Sequence, residues 1–243
     1  MKAWSLTDTG MVRKQNQDCC RVEQLPDGQL LAVVCDGMGG AKAGDVASRM
    51  AVEIFTDEVC RGIRPDMRPG DAERVLRSGL HLANSAVYEQ SLLSGEFQGM
   101  GTTLVAALAV GNWCMFINVG DSRAYHLNRN GVTQVTRDHS LVEMMVQQGR
   151  LTPEQAKQYP GKNLITRAVG TEESIRGDCY RTELEDGDFL LLCSDGLSNM
   201  LSDMEMLFEV VHGTDRSSCC ERLLRIAQGR GAPDNVTIVL VEV

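Results

Sequence analysis

A chain of 243 residues, 43% hydrophobic and 23% charged, can bury a core of ordinary size, which excludes a disulfide-stapled mini-protein. Its 24 Lys and Arg against 33 Asp and Glu leave a formal charge of -9, so a nucleic-acid backbone or an anionic membrane would be repelled on average. With 6 Pro, 24 Gly and no low-complexity tract, the composition predicts one compact domain over 1–243. The opening MKAWSLTDTG lacks the apolar run of a secretory signal, and no stretch approaches a membrane span. A cytoplasmic protein is expected. Its 9 cysteines include no C-x-x-C spacing and predict reduced thiols.

In chain order, the apolar run 30–35 predicts a strand. Val46, Met50 and Ile54, and then Val75, Leu80, Ala83 and Val87, fall at helical spacing and predict helices over 44–60 and 71–93. Two further strands, 103–110 and 113–119, flank a Gly-Asn turn. Residues 140–160 read as a helix-turn-helix insertion whose second helix starts at Thr152-Pro153-Glu154. A strand over 189–193, helices over 203–212 and 216–228, and a strand over 236–243 complete the chain. Strands near both ends with helices between them predict an α+β layered sandwich.

Leu31-Ala32-Val33-Val34-Cys35-Asp36-Gly37-Met38 is echoed by Leu190-Leu191-Leu192-Cys193-Ser194-Asp195-Gly196-Leu197: a buried strand running into Asp-Gly. Either copy alone reads as a turn. The pair suggests more, because Asp121 also follows an apolar run and Asp234 precedes the last strand. These Asp residues converge if that strand runs antiparallel to its neighbours. Converging carboxylates call for cations, and oxygen ligands select Mg²⁺ or Mn²⁺ over zinc. A Gly directly after Asp36 lets the backbone approach such an ion. Two ions would activate a water for attack on phosphorus, and Arg13 is a candidate phosphate anchor because its planar fork matches phosphate oxygens.

Seven stretches in one order resemble the PPM (PP2C-type) metal-dependent protein Ser/Thr phosphatases, most closely the compact bacterial members. They are Thr7-Asp8-Thr9-Gly10 with Arg13 and Asn16-Gln17-Asp18; Asp36-Gly37-Met38-Gly39-Gly40 with Gly44-Asp45-Val46-Ala47-Ser48; Gly101-Thr102-Thr103; Gly120-Asp121-Ser122-Arg123-Ala124-Tyr125; Asp138-His139-Ser140; Ser194-Asp195-Gly196-Leu197; and Asp234-Asn235-Val236-Thr237. The resemblance implies two packed antiparallel β-sheets flanked by helices, with a flap insertion at about 141–167. It also implies hydrolysis of phosphoserine and phosphothreonine in cytosolic proteins by a metal-activated water, opposing a Ser/Thr kinase. Carried over residue by residue, Asp36 bridges two tight Mn²⁺ or Mg²⁺ ions, the Gly37 carbonyl completes one, and Asp195 and Asp234 hold the other. Asp18 acts through metal-bound water, Arg13 holds the substrate phosphate, and Asp121 holds a looser third ion. The partners expected are phosphorylated proteins, including a cognate kinase, and the enzyme is expected to be a monomer.

The pattern departs from relatives at Gln17, where some carry Glu, and at Met38 and Ala41, where others carry His; the general acid therefore has no assigned residue. A regulatory pseudophosphatase or phosphopeptide-binding module on the same fold is the alternative, and it predicts loss of the metal-holding Asp residues, all of which are present. A dinucleotide or P-loop reading of Gly37-x-Gly39-Gly40 fails because Lys42 stands where the next Gly belongs. Cys219 and Arg225 have the spacing of a cysteine-dependent phosphatase loop, but the intervening residues read as an amphipathic helix. His139 is read as a structural residue rather than an acid.

Overall fold

A computed structural model describes residues 1–40, 43–161, 163–213 and 215–243, with only the backbone of Lys157. The chain runs β1 (Lys2–Asp8), β2 (Asp18–Gln24), β3 (Leu30–Met38), α1 (Ala43–Gly62), α2 (Pro69–Leu93), β4 (Gly101–Thr102), β5 (Leu104–Val110) and β6 (Trp113–Val119). It continues through β7 (Arg123–Asn128), β8 (Gly131–Gln134), α3 (Leu141–Gln147), α4 (Pro153–Lys157), β9 (Asp178–Glu183) and β10 (Phe189–Cys193). The last elements are α5 (Asp195–Ser198), α6 (Asp203–Leu207), α7 (Cys219–Gly229) and β11 (Val236–Glu242).

Two antiparallel sheets form, ordered β1-β11-β10-β7-β8 and β2-β3-β5-β6-β9, with β4 paired to β3. Alternation along each strand divides its side chains between two layers. On β3, Leu30, Ala32 and Val34 face the other sheet and meet Leu190, Leu192, Val239 and Val241 of β10 and β11 there. Leu31, Val33 and Cys35 point the other way, against Ala47, Phe55 and Leu76 of α1 and α2. On the far side, Leu191, Cys193, Ile238 and Leu240 pack against Leu223 and Ala227 of α7. The result is a helix-sheet-sheet-helix stack, the α+β sandwich that the sequence predicts.

Strand β3 extends to Met38, three residues past the predicted end, so Asp36-Gly37 is ladder rather than turn. In the second copy of the echo, Asp195-Gly196 opens the short helix α5, again not a turn. Both glycines admit a neighbouring backbone: a Cβ on Gly37 would lie 2.1 Å from the Gly44 carbonyl oxygen, and one on Gly196 would lie 1.9 Å from that of Asn235. The expected helix over 203–212 forms over its whole length, α-helical over Asp203–Leu207 and widening into a π-helix over Phe208–His212. The insertion holds α3 and α4, capped by Ser140 and Thr152, and closes through a bridge between Ser140 and Ile165. All 9 cysteines are free thiols, and among the described residues no helix is long and apolar enough to cross a membrane.

Candidate active site

The site forms at one end of the interface between the sheets. Asp18 opens β2 and stands opposite Asp36 in the β2-β3 ladder. The Asp36 N–H donates to Thr103 Oγ1, and its carbonyl accepts from the Thr103 N–H, both at 2.9 Å. Because the Asp36 backbone bonds toward Thr103, Asp18 and Asp36 form the close, non-hydrogen-bonded kind of antiparallel pair, with neighbouring side chains. Both carboxylates continue the faces of Cys20 and Val34 and so point into the gap between the sheets.

Topology delivers the others to the same end. Strand β11 runs antiparallel to β10, so Asp234, just before β11, returns beside Asp195, just after β10. Strand β6 runs in the direction of β3, two places along the sheet, and brings Asp121 beyond its end. Strand β1 ends opposite Val236, and the loop that follows carries Arg13, whose Nη2 donates to Asp234 Oδ2 at 2.7 Å. Arg13, Asp18, Asp36, Gly37, Asp121, Asp195 and Asp234 thus all reach one end of the sandwich. Ala41 and Lys42, noted in the sequence, lie outside the described residues.

Several supporting residues carry no spacing signal in the sequence. Ser194 donates to Asp18 Oδ2 at 2.7 Å and accepts the Thr237 N–H at 3.0 Å, linking the two sheets at the site. Asn235 donates to the carbonyls of Thr9 and Gln15 and accepts the Gln17 N–H at 2.9 Å, fixing the loop that carries Arg13. Arg123 grips Asp138 through Nε and Nη2, with a 2.7 Å contact to Oδ2. Burial opposes the charge on Arg123, but Asp138 outweighs it and holds the guanidinium cationic. That cation in turn favours the charged forms of Asp121 and Asp195.

The carboxylates are crowded. Withdrawal from water pushes Asp18 up to about 6, with Asp195 adding repulsion, and the same withdrawal together with Asp234 pushes Asp195 up to about 6. Asp121 rises to about 7 through burial and the nearby Asp195 and Asp138. Asp36 is raised well above the ordinary carboxylate range, by loss of water first and then by Asp18, Asp195, Asp121 and Asp234. Asp18 Oδ1 and Asp195 Oδ1 are buried without a hydrogen-bond partner among the described residues. Unpaired, mutually repelling oxygens of this kind suit a cation. Among the described residues no three His, Cys, Asp or Glu side chains already form a metal cluster. A hard divalent ion would complete its shell with a backbone carbonyl and water, as such ions do.

His139 is tied on both ring nitrogens. Nδ1 accepts the Gly120 N–H at 3.2 Å, which leaves the proton on Nε2, 3.2 Å from Asp178 Oδ2. Burial lowers its pKa, favouring the neutral ring. Cys219 is buried at the start of α7, and burial pushes its thiol up to about 11, the reverse of an activated nucleophile.

Residues 12–228 match the model of the protein phosphatase 2C family. The chain belongs to the protein phosphatase 2C family. A serine/threonine phosphatase of Listeria welshimeri is 37% identical over 242 residues, covering 100% of this chain and 96% of that protein. The solved S. agalactiae serine/threonine phosphatase is similar with a TM-score of 0.92 and 34% identity, over 100% of this chain and 99% of that one. The PstP catalytic domain, solved in complex with 2 manganese ions, is similar with a TM-score of 0.85 and 32% identity, over 99% and 97% of the two chains. This phosphatase 2C chain is therefore a protein serine/threonine phosphatase whose substrates are phosphoproteins, and the family is metal-dependent.

Proposed function

We propose that the chain removes phosphate from phosphoserine and phosphothreonine of cytoplasmic proteins with a divalent-metal site built on its converging carboxylates. The convergence of Asp18, Asp36, Asp121, Asp195 and Asp234, with buried unpartnered oxygens on Asp18 and Asp195, carries this reading. Asp36 and the Gly37 carbonyl would hold one ion, Asp36 with Asp195 and Asp234 a second, and Asp121 with Asp195 a looser third. When bound, a pair of Mn²⁺ or Mg²⁺ ions lowers the pKa of a water nucleophile and offsets charge on the phosphoryl oxygens.

The chain's own groups do the rest. Arg13, kept beside the site by Asp234 and 54% exposed, presents its guanidinium to the substrate phosphate. Asp18, fixed through Oδ2 by Ser194, keeps Oδ1 directed away from that bond. The insertion 141–167 forms one wall of a cleft of about 750 Å³: Val142, Val146 and Pro153 face Met200 and Met204, with Asp121 and Asp195 also lining it. That cleft, whose apolar side chains are interspersed with Glu143, Asp203 and Glu205, gives a substrate segment a bed beside the carboxylates.

A phosphomonoester on serine or threonine is the product of a protein kinase, so a Ser/Thr kinase is the opposing activity. The assigned site residues run from Arg13 to Asp234 and meet at one end of one sandwich, the arrangement of a single catalytic domain, and a monomer is the state expected of it. Turnover of p-nitrophenyl phosphate should vanish with a chelator and return with Mn²⁺ or Mg²⁺. Full activity in the chelated protein would overturn the mechanism.

A further inference from the structure

Behind the insertion, a second recess of about 460 Å³ opens between α2, α3 and β9. Arg77, Arg137, Arg167 and Arg176 line it, with Asp138 and Asp178 as its acidic members. Its acids are already committed. Asp138 is held by Arg123 from outside the recess at 2.7 Å, and Asp178 accepts from Arg167 at 3.2 Å while pairing with His139. Of the cations, Arg77 is occupied by Glu73 at 2.8 Å and by the Gly177 carbonyl at 2.9 Å. Arg137 stands 3.6 Å from Glu143 and is 64% exposed. Arg176 has no ion pair or hydrogen bond among the described residues. In a chain of net charge -9, this is a local surplus of guanidinium, with Arg176 unpaired among the described residues and Arg137 held only by an exposed ion pair with Glu143 beyond hydrogen-bond distance.

We propose that this recess is a subsite for the phosphate of a second phosphorylated residue on the substrate segment. The inference rests on the phosphoprotein phosphatase activity assigned to the neighbouring cleft. Asp138 and Ser140 line both recesses, so the two share a wall. An extended peptide advances roughly 3.3–3.6 Å per residue, so a short segment leads from one to the other. A phosphoresidue is favoured over a flanking Asp or Glu because its three oxygens and charge of about -1.5 to -2 can engage several planar forks at once. The acidic surface elsewhere repels such a segment, so a confined basic recess gives it orientation as well as affinity.

The test uses the Mn²⁺-loaded enzyme and a peptide carrying one phosphothreonine, compared with versions carrying a second phosphothreonine at successive distances. At a preferred spacing, KM should fall by about tenfold or more with kcat nearly unchanged, the scale of one or two charge-assisted hydrogen bonds. Arg137→Ala combined with Arg176→Ala should erase the difference while p-nitrophenyl phosphate kinetics and the circular dichroism spectrum stay as in the parent. Equal KM values at every spacing, or a preference that survives the double variant, would overturn the subsite. Inorganic phosphate forms a separate arm: if it alters turnover through Arg137 and Arg176 while no peptide preference exists, the recess takes free phosphate and the proposal is wrong. Turnover of the singly phosphorylated peptide without any preference defeats the subsite alone. No turnover of any peptide defeats the activity assignment and the subsite together.

Discussion

Ser194 donates its hydroxyl proton to Asp18 Oδ2 across 2.7 Å, joining the end of β10 in one sheet to the start of β2 in the other. The bond directs one carboxylate oxygen and leaves the other, Oδ1, buried and unpartnered. It also fills a second need, since the same hydroxyl accepts the Thr237 N–H.

Ser194→Ala therefore removes two hydrogen bonds from a fully buried position and leaves the Thr237 N–H without its acceptor. A loss of about 1–3 kcal/mol in unfolding free energy is expected, from the cost of a buried unsatisfied group. Because Asp18 loses its fixed orientation, the Mn²⁺ concentration for half-maximal turnover should rise as well. Denaturant unfolding and metal-dependent kinetics measure the two effects separately. An unchanged metal requirement would show that Ser194 acts on stability alone.

The crowded carboxylates make the metal-free protein sensitive to pH. Asp195 rises from 3.8 to about 6 on folding, chiefly by loss of water and repulsion from Asp234. A raised folded pKa means that the native state binds the proton more tightly than the unfolded state, so the stability contribution is present below about pH 4 and is lost as pH rises through about 6. Asp18, at about 6, and Asp121, at about 7, add in the same direction. The Tm of chelated protein should contain a component that falls between pH 4 and 7, and saturating Mg²⁺ should abolish that component. Asp195→Asn should flatten the slope in chelator and nearly abolish turnover in metal. A slope unaltered by both Mg²⁺ and the substitution would detach these pKa shifts from the site.

Much of this site is legible in the linear chain because a carboxylate just beyond, or at the end of, an apolar strand is visible without a structure. Strands 113–119 and 189–193 are continuous apolar runs and appear with the same bounds in the fold. The sequence reading leaves out β1, β2, β8 and β9, and all of these are sheet edges, where mixed burial blurs the alternation. Interior β7 is hidden by Arg123, His126 and Asn128. Ser194 and Asn235 escape as supporting residues because their partners are 176 and 218 residues away. No local pattern encodes a bond between sheets.

Asp36-Gly37, which taken alone reads as a turn, is ladder for a related reason: the pairing of β3 with β4 outweighs the local preference of the dipeptide. Gly37→Ala would push a Cβ to 2.1 Å from the Gly44 oxygen, so β3 and the start of α1 must separate where Asp36 is held. Turnover should fall at least about tenfold with a lower Tm, in line with costs of about 1–3 kcal/mol for overpacking a tight site. At Gly40, in the same glycine-rich stretch, an added Cβ meets nothing within 4 Å among the described residues, and Gly40→Ala should retain the Tm of the parent. Equal behaviour of the two variants would remove the close β3-α1 approach as the cause.

His139 gives the sharpest separation between structure and chemistry. Its Nδ1 accepts the N–H of Gly120, the residue before Asp121, and its Nε2 side faces Asp178 and Arg167. Protonating Nδ1 would turn that acceptor into a donor facing the Gly120 N–H, so the geometry favours the neutral ring that burial also favours. A residue held this way positions the Asp121 turn and does not deliver a proton. His139→Asn keeps a carbonyl near the Nδ1 position and should slow turnover less than His139→Gln, whose longer side chain reaches toward Asp178 instead. In both variants a phosphothreonine peptide and p-nitrophenyl phosphate should slow together, by less than about tenfold, as small misplacements of a site do. A general acid behaves differently: its loss slows the peptide, with its poor alkoxide leaving group, by about 10²–10⁴-fold while sparing the nitrophenyl ester, whichever amide replaces it. Measuring kcat for both substrates in both variants separates the two roles, and a large peptide-selective defect would assign the proton to His139.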